Sequence, residues 1–361
     1  MKKILFFFGT RPEAIKLCPL ARELQKRGLC VRLCCTGQHR ELLSGVLTPF
    51  DLSPDILYTL PSGLSLSALF SRVFSDAVAT LEKERPALVI TQGDTLSAAA
   101  ASLASFYAKL PVAHIEAGLR TYEKTPYPEE AHRRIIAPLA EYHFAPTERA
   151  RENLLAEGIP ASRIFVTGNT GLDALRYTQR EDFTHPALLH GRLFLCTLHR
   201  RESLGAPAAG VFRALRALAQ EHPADTVLFC LHKNPAARAP ALASLSGIPN
   251  LLLCDAPPPS EFVNLLSRAH LVLTDSGGVS EEASFLGIPT LVLREHTERT
   301  EGVDAGGLFP VGTETAKILA AANTLLFDPA LYKKAANSPC PFGDGHASER
   351  IAERLFTLLQ A

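Results

Sequence analysis

The chain has 361 residues, which at roughly 150 residues per domain points to two domains, each large enough for its own core. Lys plus Arg and Asp plus Glu number 37 each, so no global charge suits a nucleic-acid backbone or an anionic membrane, and any basic character is local. With 47% hydrophobic and 20% charged residues, a mean hydropathy of +0.09 and no low-complexity block, the composition is that of a globular protein and excludes a disordered one.

Met1-Lys2-Lys3 and the run Ile4 to Phe8 begin like a secretory signal, but Gly9-Thr10-Arg11 closes that run too early for one. A cytoplasmic protein is therefore expected. No run approaches the ~18 uncharged apolar residues of a membrane span. Short apolar runs instead alternate with helical patterns in two similar sets. The first set is Ile4 to Phe8, Val31 to Cys35, Leu88 to Thr91, Val112 to Ile115, His143 to Ala145 and Ile164 to Val166. The second is Leu193 to Leu198, Thr226 to Leu231, Leu251 to Leu253, Leu271 to Thr274, Thr290 to Leu293 and Leu308 to Val311. Most are continuously apolar, as strands buried on both faces of a parallel sheet must be.

Between the runs lie segments of helical period, such as Ala14, Ile15, Leu17, Cys18, Leu20, Ala21 and Leu24, with Pro12 where a first helical turn tolerates it. Strand–helix alternation repeated twice predicts two doubly wound, Rossmann-like α/β domains. The break falls in the mixed-charge stretch Tyr177 to Arg192, so the expected domains are 1–176 with 345–361, and 177–344. Ser348 to Leu359 is an amphipathic helix in need of a partner. Cys30, Cys34, Cys35, Cys196, Cys230 and Cys254 sit inside apolar runs and no C-x-x-C occurs, so the cysteines are expected to be reduced core thiols.

Clusters of Gly, Arg, His and carboxylate follow the C-terminal ends of these runs. They are Gly9-Thr10-Arg11-Pro12-Glu13, Thr36-Gly37-Gln38-His39-Arg40, Gln92-Gly93-Asp94-Thr95 and Glu116-Ala117-Gly118-Leu119-Arg120 in the first half. In the second they are His199-Arg200-Arg201-Glu202, His232-Lys233-Asn234-Pro235 and Asp275-Ser276-Gly277-Gly278. Open α/β sheets bind ligands at that edge, and two such edges facing each other are expected to enclose a cleft. Asp275-Ser276-Gly277-Gly278 leads into a helical run, so free N–H groups and the positive end of the helix dipole favour a phosphate there. Arg11, Lys16, His199, Arg200, Arg201 and Arg299 add positive charge. Neither a Walker A sequence nor G-x-G-x-x-G occurs, and the histidines lack metal-ligand spacing, so no nucleotide cofactor and no metal is expected.

Asp94, Glu116 and Glu129 are the sharper signal, because three carboxylates near one strand edge suit acid/base chemistry. A capping role competes with that reading. Asp94-Thr95 sits where a helix from Ser97 begins, and Glu129 where a first turn would start.

On Gly9 to Lys16, Gly93-Asp94-Thr95, His114 to Arg120, Pro128-Glu129-Glu130, Thr167-Gly168-Asn169-Thr170, His199 to Glu202 and Thr274 to Gly278, the chain resembles the non-hydrolysing bacterial UDP-N-acetylglucosamine 2-epimerase family along nearly its whole length. The resemblance implies the GT-B-like architecture of many glycosyltransferases, with the C-terminal helix returning to the first domain, and a homodimer supplying N-acetylmannosamine units for cell-surface polysaccharide. It implies inversion at C2 of UDP-N-acetylglucosamine by loss of UDP to a 2-acetamidoglucal and re-addition. Asp94, Glu116 and Glu129 match the catalytic carboxylates. Arg11, Lys16, His199, Ser276, Gly277, Gly278, Glu282 and Arg299 match contacts to UDP, with Phe262 near uracil, and His199 also takes part in catalysis through the diphosphate. Gln38, Arg72, Arg200 and His232 match a site for a second UDP-N-acetylglucosamine acting as activator, although Glu41 stands where some activated relatives have Gln.

Leu198 replaces a Gly common before His199, and Pro257-Pro258-Pro259 replaces a polar stretch with a uracil contact. The continuation Pro12 to Lys16 argues against the hydrolysing relatives. The alternatives are a C2 epimerase of a related UDP-diacetamido-uronic acid, a glycosyltransferase of the same fold, and a non-catalytic sugar-nucleotide sensor. Fold alone decides little among them.

Overall fold

The computed structural model describes residues 2–38, 45–61, 63–124, 126–198, 205–231 and 234–360. They divide into two compact units, Met1–Tyr177 with Gly343–Ala361, and Thr178–Phe342.

Unit 1 runs β1 (Lys3–Phe8), α1 (Arg11–Lys26), β2 (Cys30–Cys35), β3 (Ile56–Leu57), α2 (Leu66–Glu84), β4 (Leu88–Gln92), α3 (Leu96–Tyr107), β5 (Val112–Ile115), α4 (Glu129–Leu139), β6 (Tyr142–Ala145), α5 (Glu148–Ala156), β7 (Ile164–Val166) and α6 (Thr170–Thr178). Unit 2 runs β8 (Leu193–Thr197), α7 (Ala206–Glu221), β9 (Thr226–Leu231), α8 (Pro235–Leu245), β10 (Leu251–Asp255), α9 (Pro259–Leu266), β11 (Ala269–Thr274), α10 (Gly277–Phe285), β12 (Thr290–Val292), α11 (Thr300–Ala305), β13 (Leu308–Pro310), α12 (Thr315–Phe327) and α13 (Pro329–Ala336). The last helix, α14 (Ala347–Gln360), belongs to unit 1.

Each unit holds one parallel sheet, ordered β3-β2-β1-β4-β5-β6-β7 and β10-β9-β8-β11-β12-β13. In both, the chain works outward from a central strand and then reverses, so a crevice opens beside β1/β4 and beside β8/β11. The apolar runs explain the layers. In β1, Ile4, Phe6 and Phe8 enter the core under α1 and α14, while Leu5 and Phe7 enter the core on the other face. β8 divides likewise, Phe194 and Cys196 to one face, Leu193 and Leu195 to the other. All eight cysteines are free, and burial pushes the Cys18 and Cys34 thiols up to about 12.

Helix α14 finds its partner in unit 1. Ile351, Ala352 and Leu355 are buried in the α1-side core, and the Asp173 carboxylate accepts the Ala347 and Ser348 N–H groups at the start of the helix, at 3.2 and 2.5 Å. The aperiodic stretch 178–192 packs onto unit 2. The Arg180 N–H donates to Asn264 Oδ1 at 2.8 Å, Arg268 lies over the Phe183 ring, and Ala187 is buried. Among the described residues no helix is long and apolar enough to cross a membrane.

Candidate active site

The candidate residues of unit 1 stand on the turns that leave β1, β4 and β5. After β1 the chain enters α1 almost at once, and a Cβ on Gly9 would lie 2.2 Å from Ser97 Oγ and 2.3 Å from Thr36 Oγ1, so only glycine fits. Glu13 locks this turn. Its fully buried carboxylate accepts the N–H groups of Gly9 (2.9 Å) and Thr10 (2.8 Å), closing a capping box, and the Thr95 hydroxyl at 2.6 Å. Burial raises its pKa despite those bonds. Arg11 opens α1 and Lys16 follows on the next turn.

Glu116 follows β5 with a left-handed φ of +63°, uncommon for a residue with a side chain. Its carboxylate collects three donors: Lys16 Nζ at 2.5 Å, Asn169 Nδ2 at 3.3 Å, and Gln92 Nε2. Only 8% of the side chain is exposed. A nearly buried carboxylate with this many donors is pre-oriented, and the strained backbone is the kind of feature that clusters at functional sites.

Asp94 follows β4 and has different partners. Arg133 of α4 places Nε (2.8 Å) and Nη2 (2.7 Å) on Asp94 Oδ2, and its Nη1 reaches Glu130 Oε2 at 3.1 Å. Glu130 is buried and accepts the N–H groups of Thr121 and Tyr122 on the loop after Glu116. Burial alone would lower the Arg133 pKa, but the Asp94 and Glu130 charges raise it overall, so the guanidinium is held charged between the two carboxylates. Glu129, the first residue of α4, is half-buried and makes no hydrogen bond or ion pair among the described residues. The capping role is present too: the Thr95 hydroxyl accepts the Ala98 N–H at the start of α3. It falls to Thr95, leaving the Asp94 carboxylate to Arg133.

In unit 2 the turn after β11 enters α10 with Ser276 as N-cap, its hydroxyl accepting the Val279 N–H at 3.5 Å. The Ser276 N–H donates to Thr274 Oγ1, which is bonded to Thr197 Oγ1 across β8. Arg299 lies flat on Gly277: a Cβ there would be 2.8 Å from its Cζ. Glu281 Oε1 holds Arg299 Nε at 2.7 Å and Glu298 holds Nη1 at 3.1 Å. A cationic guanidinium thus sits beside the first N–H groups of α10, an arrangement suited to an anion. Glu282 is half-buried in α10, and Phe262, in the first turn of α9, packs partly on the unit 2 core.

His199, Arg200 and His232 lie outside the described residues. Gln38 accepts the Ser97 hydroxyl at 3.1 Å, and Arg72 pairs with Asp76 on an exposed turn of α2 at 2.8 Å. Among the described residues no group of three His, Cys, Asp or Glu is arranged to hold a metal ion. Four residues that shape the candidate site were not singled out by sequence: Gln92, Asn169, Arg133 and Glu281. Gln92 and Asn169 lie inside quoted motifs, whereas Arg133 carries the spacing of an ordinary surface helix and gave no signal.

A family model described as UDP-N-acetylglucosamine 2-epimerase matches residues 22–356. The UDP-N-acetylglucosamine 2-epimerase of Yersinia pestis is 42% identical over 368 residues, 98% of each chain. The crystal structure of UDP-GlcNAc 2-epimerase from Neisseria meningitidis bound to UDP-GlcNAc is 41% identical with a TM-score of 0.91, covering 98% of this chain and 100% of that one. The Methanocaldococcus jannaschii UDP-GlcNAc 2-epimerase in complex with UDP-GlcNAc and UDP is 31% identical with a TM-score of 0.83, covering 98% and 99%. A glycotransferase of kitacinnamycin, 16% identical, reaches a TM-score of 0.67 over 99% of this chain and 98% of that one, which shows a shared GT-B-like fold alone. With the family matched along nearly the whole sequence, the chain belongs to the UDP-N-acetylglucosamine 2-epimerase family, a family of isomerases.

Proposed function

We propose that the chain interconverts UDP-N-acetylglucosamine and UDP-N-acetylmannosamine by elimination and re-addition of UDP. No carbonyl acidifies the C2 proton, so its removal is feasible only as UDP departs. A carboxylate takes the proton, the C–H electron pair becomes the C1=C2 bond of a 2-acetamidoglucal, and the C1–O electrons leave on the diphosphate. In the return step a diphosphate oxygen attacks C1 and a proton is delivered to the opposite face of C2.

Asp94, Glu116 and Glu129 share the proton work. Arg11, Ser276, Gly277, Gly278, Glu282 and Arg299 hold the UDP, with Phe262 beside uracil and His199 on the diphosphate, where negative charge grows in the transition state. Lys16 matches a diphosphate contact by family pattern, and its pairing with Glu116 gives it a second task, orienting that carboxylate. The observation that carries the reading is the Glu116 carboxylate, nearly buried on a strained backbone and aimed by three donors, in a chain whose relative from Neisseria meningitidis holds UDP-GlcNAc.

Incubation with UDP-N-acetylglucosamine in heavy water tests it. Deuterium at C2 in both epimers supports the reading. Sugar transfer to an acceptor with C2 protium retained would make the chain a glycosyltransferase, binding without exchange a sensor, and turnover of a UDP-diacetamido-uronic acid alone an epimerase of that substrate.

A second UDP-N-acetylglucosamine acts as activator through Gln38, Arg72, Arg200 and His232. The joint presence of UDP-GlcNAc and UDP in the Methanocaldococcus jannaschii relative supports room for two nucleotides. UDP-N-acetylmannosamine alone should then convert slowly until a little UDP-N-acetylglucosamine is added, and equal initial rates would reject the activator. The acting species is a homodimer, which sedimentation of the purified chain checks.

A further inference from the structure

The turn that carries Asp94 is held more tightly than a surface turn needs to be. Gly93 has a φ of +67°, and its N–H donates to the Ile115 carbonyl at 2.9 Å. The two carbonyls that follow are each met by an imidazole. His114 Nε2, from β5, lies 2.7 Å from the Gly93 oxygen, and His132 Nδ1, from α4, lies 2.8 Å from the Asp94 oxygen. A carbonyl oxygen only accepts, so each of these ring nitrogens carries the proton, and the bonds fix opposite tautomers on the two rings. With Arg133 on Oδ2, both the backbone and the side chain of Asp94 are pinned from β5 and α4. Oδ1 is left without a protein partner among the described residues.

We propose that His114 and His132 are positioning residues for Asp94, a pair of imidazoles clamping consecutive carbonyls so that Oδ1 is presented to the reacting carbon. The clamp deepens the epimerase reading and rests on Asp94 being one of its acid/base groups. Both rings are almost wholly enclosed, at 1% and 8% exposure. An imidazole suits the task because its rigid, enclosed ring donates one strong, well-directed bond beside carboxylates that Lys16 and Arg133 already hold. Proton transfer is sensitive to sub-ångström placement, and a misplacement of about 1 Å can cost on the order of 10²-fold in rate.

The opposite tautomers supply a test that a purely structural role does not pass. Asparagine puts an amide nitrogen near the position of Nδ1, and glutamine near that of Nε2. His132→Asn and His114→Gln should therefore keep most of kcat, whereas the exchanged variants His132→Gln and His114→Asn should lose about tenfold or more, with KM and UDP affinity little changed. All four are polar and of similar size, so folding does not sort them. A structural role predicts similar rates within each pair and differences only in melting temperature, and that pattern overturns the clamp.

The closing experiment adds Asp94→Asn and its combination with His132→Gln, read by C2 exchange in heavy water and by titration with UDP. Asp94→Asn should itself lower exchange by about 10²-fold, and His132→Gln should add nothing further once the carboxylate is gone. If Asp94→Asn keeps its rate, the acid/base reading of Asp94 fails and the clamp with it. If Asp94→Asn is slow but the histidine losses multiply independently, the clamp alone fails and the epimerase reading stands.

Discussion

Mild acid should destabilise unit 1 by an amount that two histidines set. His114 and His143 face each other across β5 and β6, both essentially without solvent exposure. Burial, reinforced for His143 by its histidine neighbour, lowers their pKa values from 6.5 to about 4 and about 3. The unfolded chain therefore takes up protons that the folded chain refuses. Stability is complete above the unfolded value and falls as pH drops from about 6.5 toward 4. At pH 5 an unfolded imidazole is about thirtyfold more protonated than neutral while the buried one remains neutral, so each costs about 2 kcal/mol and the pair about 4 kcal/mol. The buried Glu13 and Asp173 carboxylates, whose pKa values burial raises, act in the opposite sense, so the histidine contribution is read from the difference between the native chain and His143→Leu. The chain has no tryptophan and six of its seven tyrosines precede Thr178, so tyrosine fluorescence in urea follows unit 1 at pH 7, 6 and 5. His143→Leu removes one of the two buried imidazoles and should therefore remove about half of the pH dependence. A loss below about 1 kcal/mol between pH 7 and 5, or an unaltered slope in His143→Leu, would refute the reasoning.

Three further predictions come from packing. Gly277→Ala forces a Cβ to within 2.8 Å of Arg299 Cζ, where Glu281 and Glu298 leave the guanidinium little freedom, so UDP affinity by titration calorimetry should fall about tenfold. A Cβ on Gly278 meets nothing within 4 Å, so Gly278→Ala should leave the melting temperature of the unliganded protein unchanged. Leu355→Ala empties a fully buried position between α14 and α1 and should cost unit 1 about 2–5 kcal/mol in urea unfolding. A loss under about 1 kcal/mol would mean that α14 contributes little to that core.

The fold is legible in the sequence wherever burial leaves a one-dimensional mark. Strands enclosed on both faces are apolar at most positions, which is why twelve runs stand out, and the turns that leave them are conspicuous because Gly and charge interrupt apolar sequence. The missed strand, β3, is the exception that fits the reason: Ile56 and Leu57 form a two-residue edge beside β2, half-buried and exposed respectively, so there is no apolar run to find. The membership of each turn at the candidate site is legible in the same way.

The partnerships within that site are not, because they depend on reach rather than on period. Lys16 stands 100 residues from Glu116, Asn169 53 and Gln92 24, and only the parallel sheet, by stacking the ends of β1, β4 and β5 along one edge, turns those separations into hydrogen bonds. The same topology divides the carboxylates by environment. Glu116 is surrounded by donors, Asp94 shares one oxygen with a guanidinium, and Glu129 starts a helix with no side-chain partner among the described residues. Carboxylates that leave one parallel sheet thus meet three different sets of neighbours, and those neighbours decide how each carboxylate is held and aimed. A reaction that lifts a proton from one face of a carbon and returns it to the other needs carboxylates aimed differently, since one orientation reaches only one face. The asymmetry comes from Lys16, Arg133 and the N–H groups around Glu130 rather than from the carboxylates themselves. Substitutions at those supporting residues should therefore shift the pH profile of exchange, while substitutions around α10 change UDP affinity and leave that profile in place.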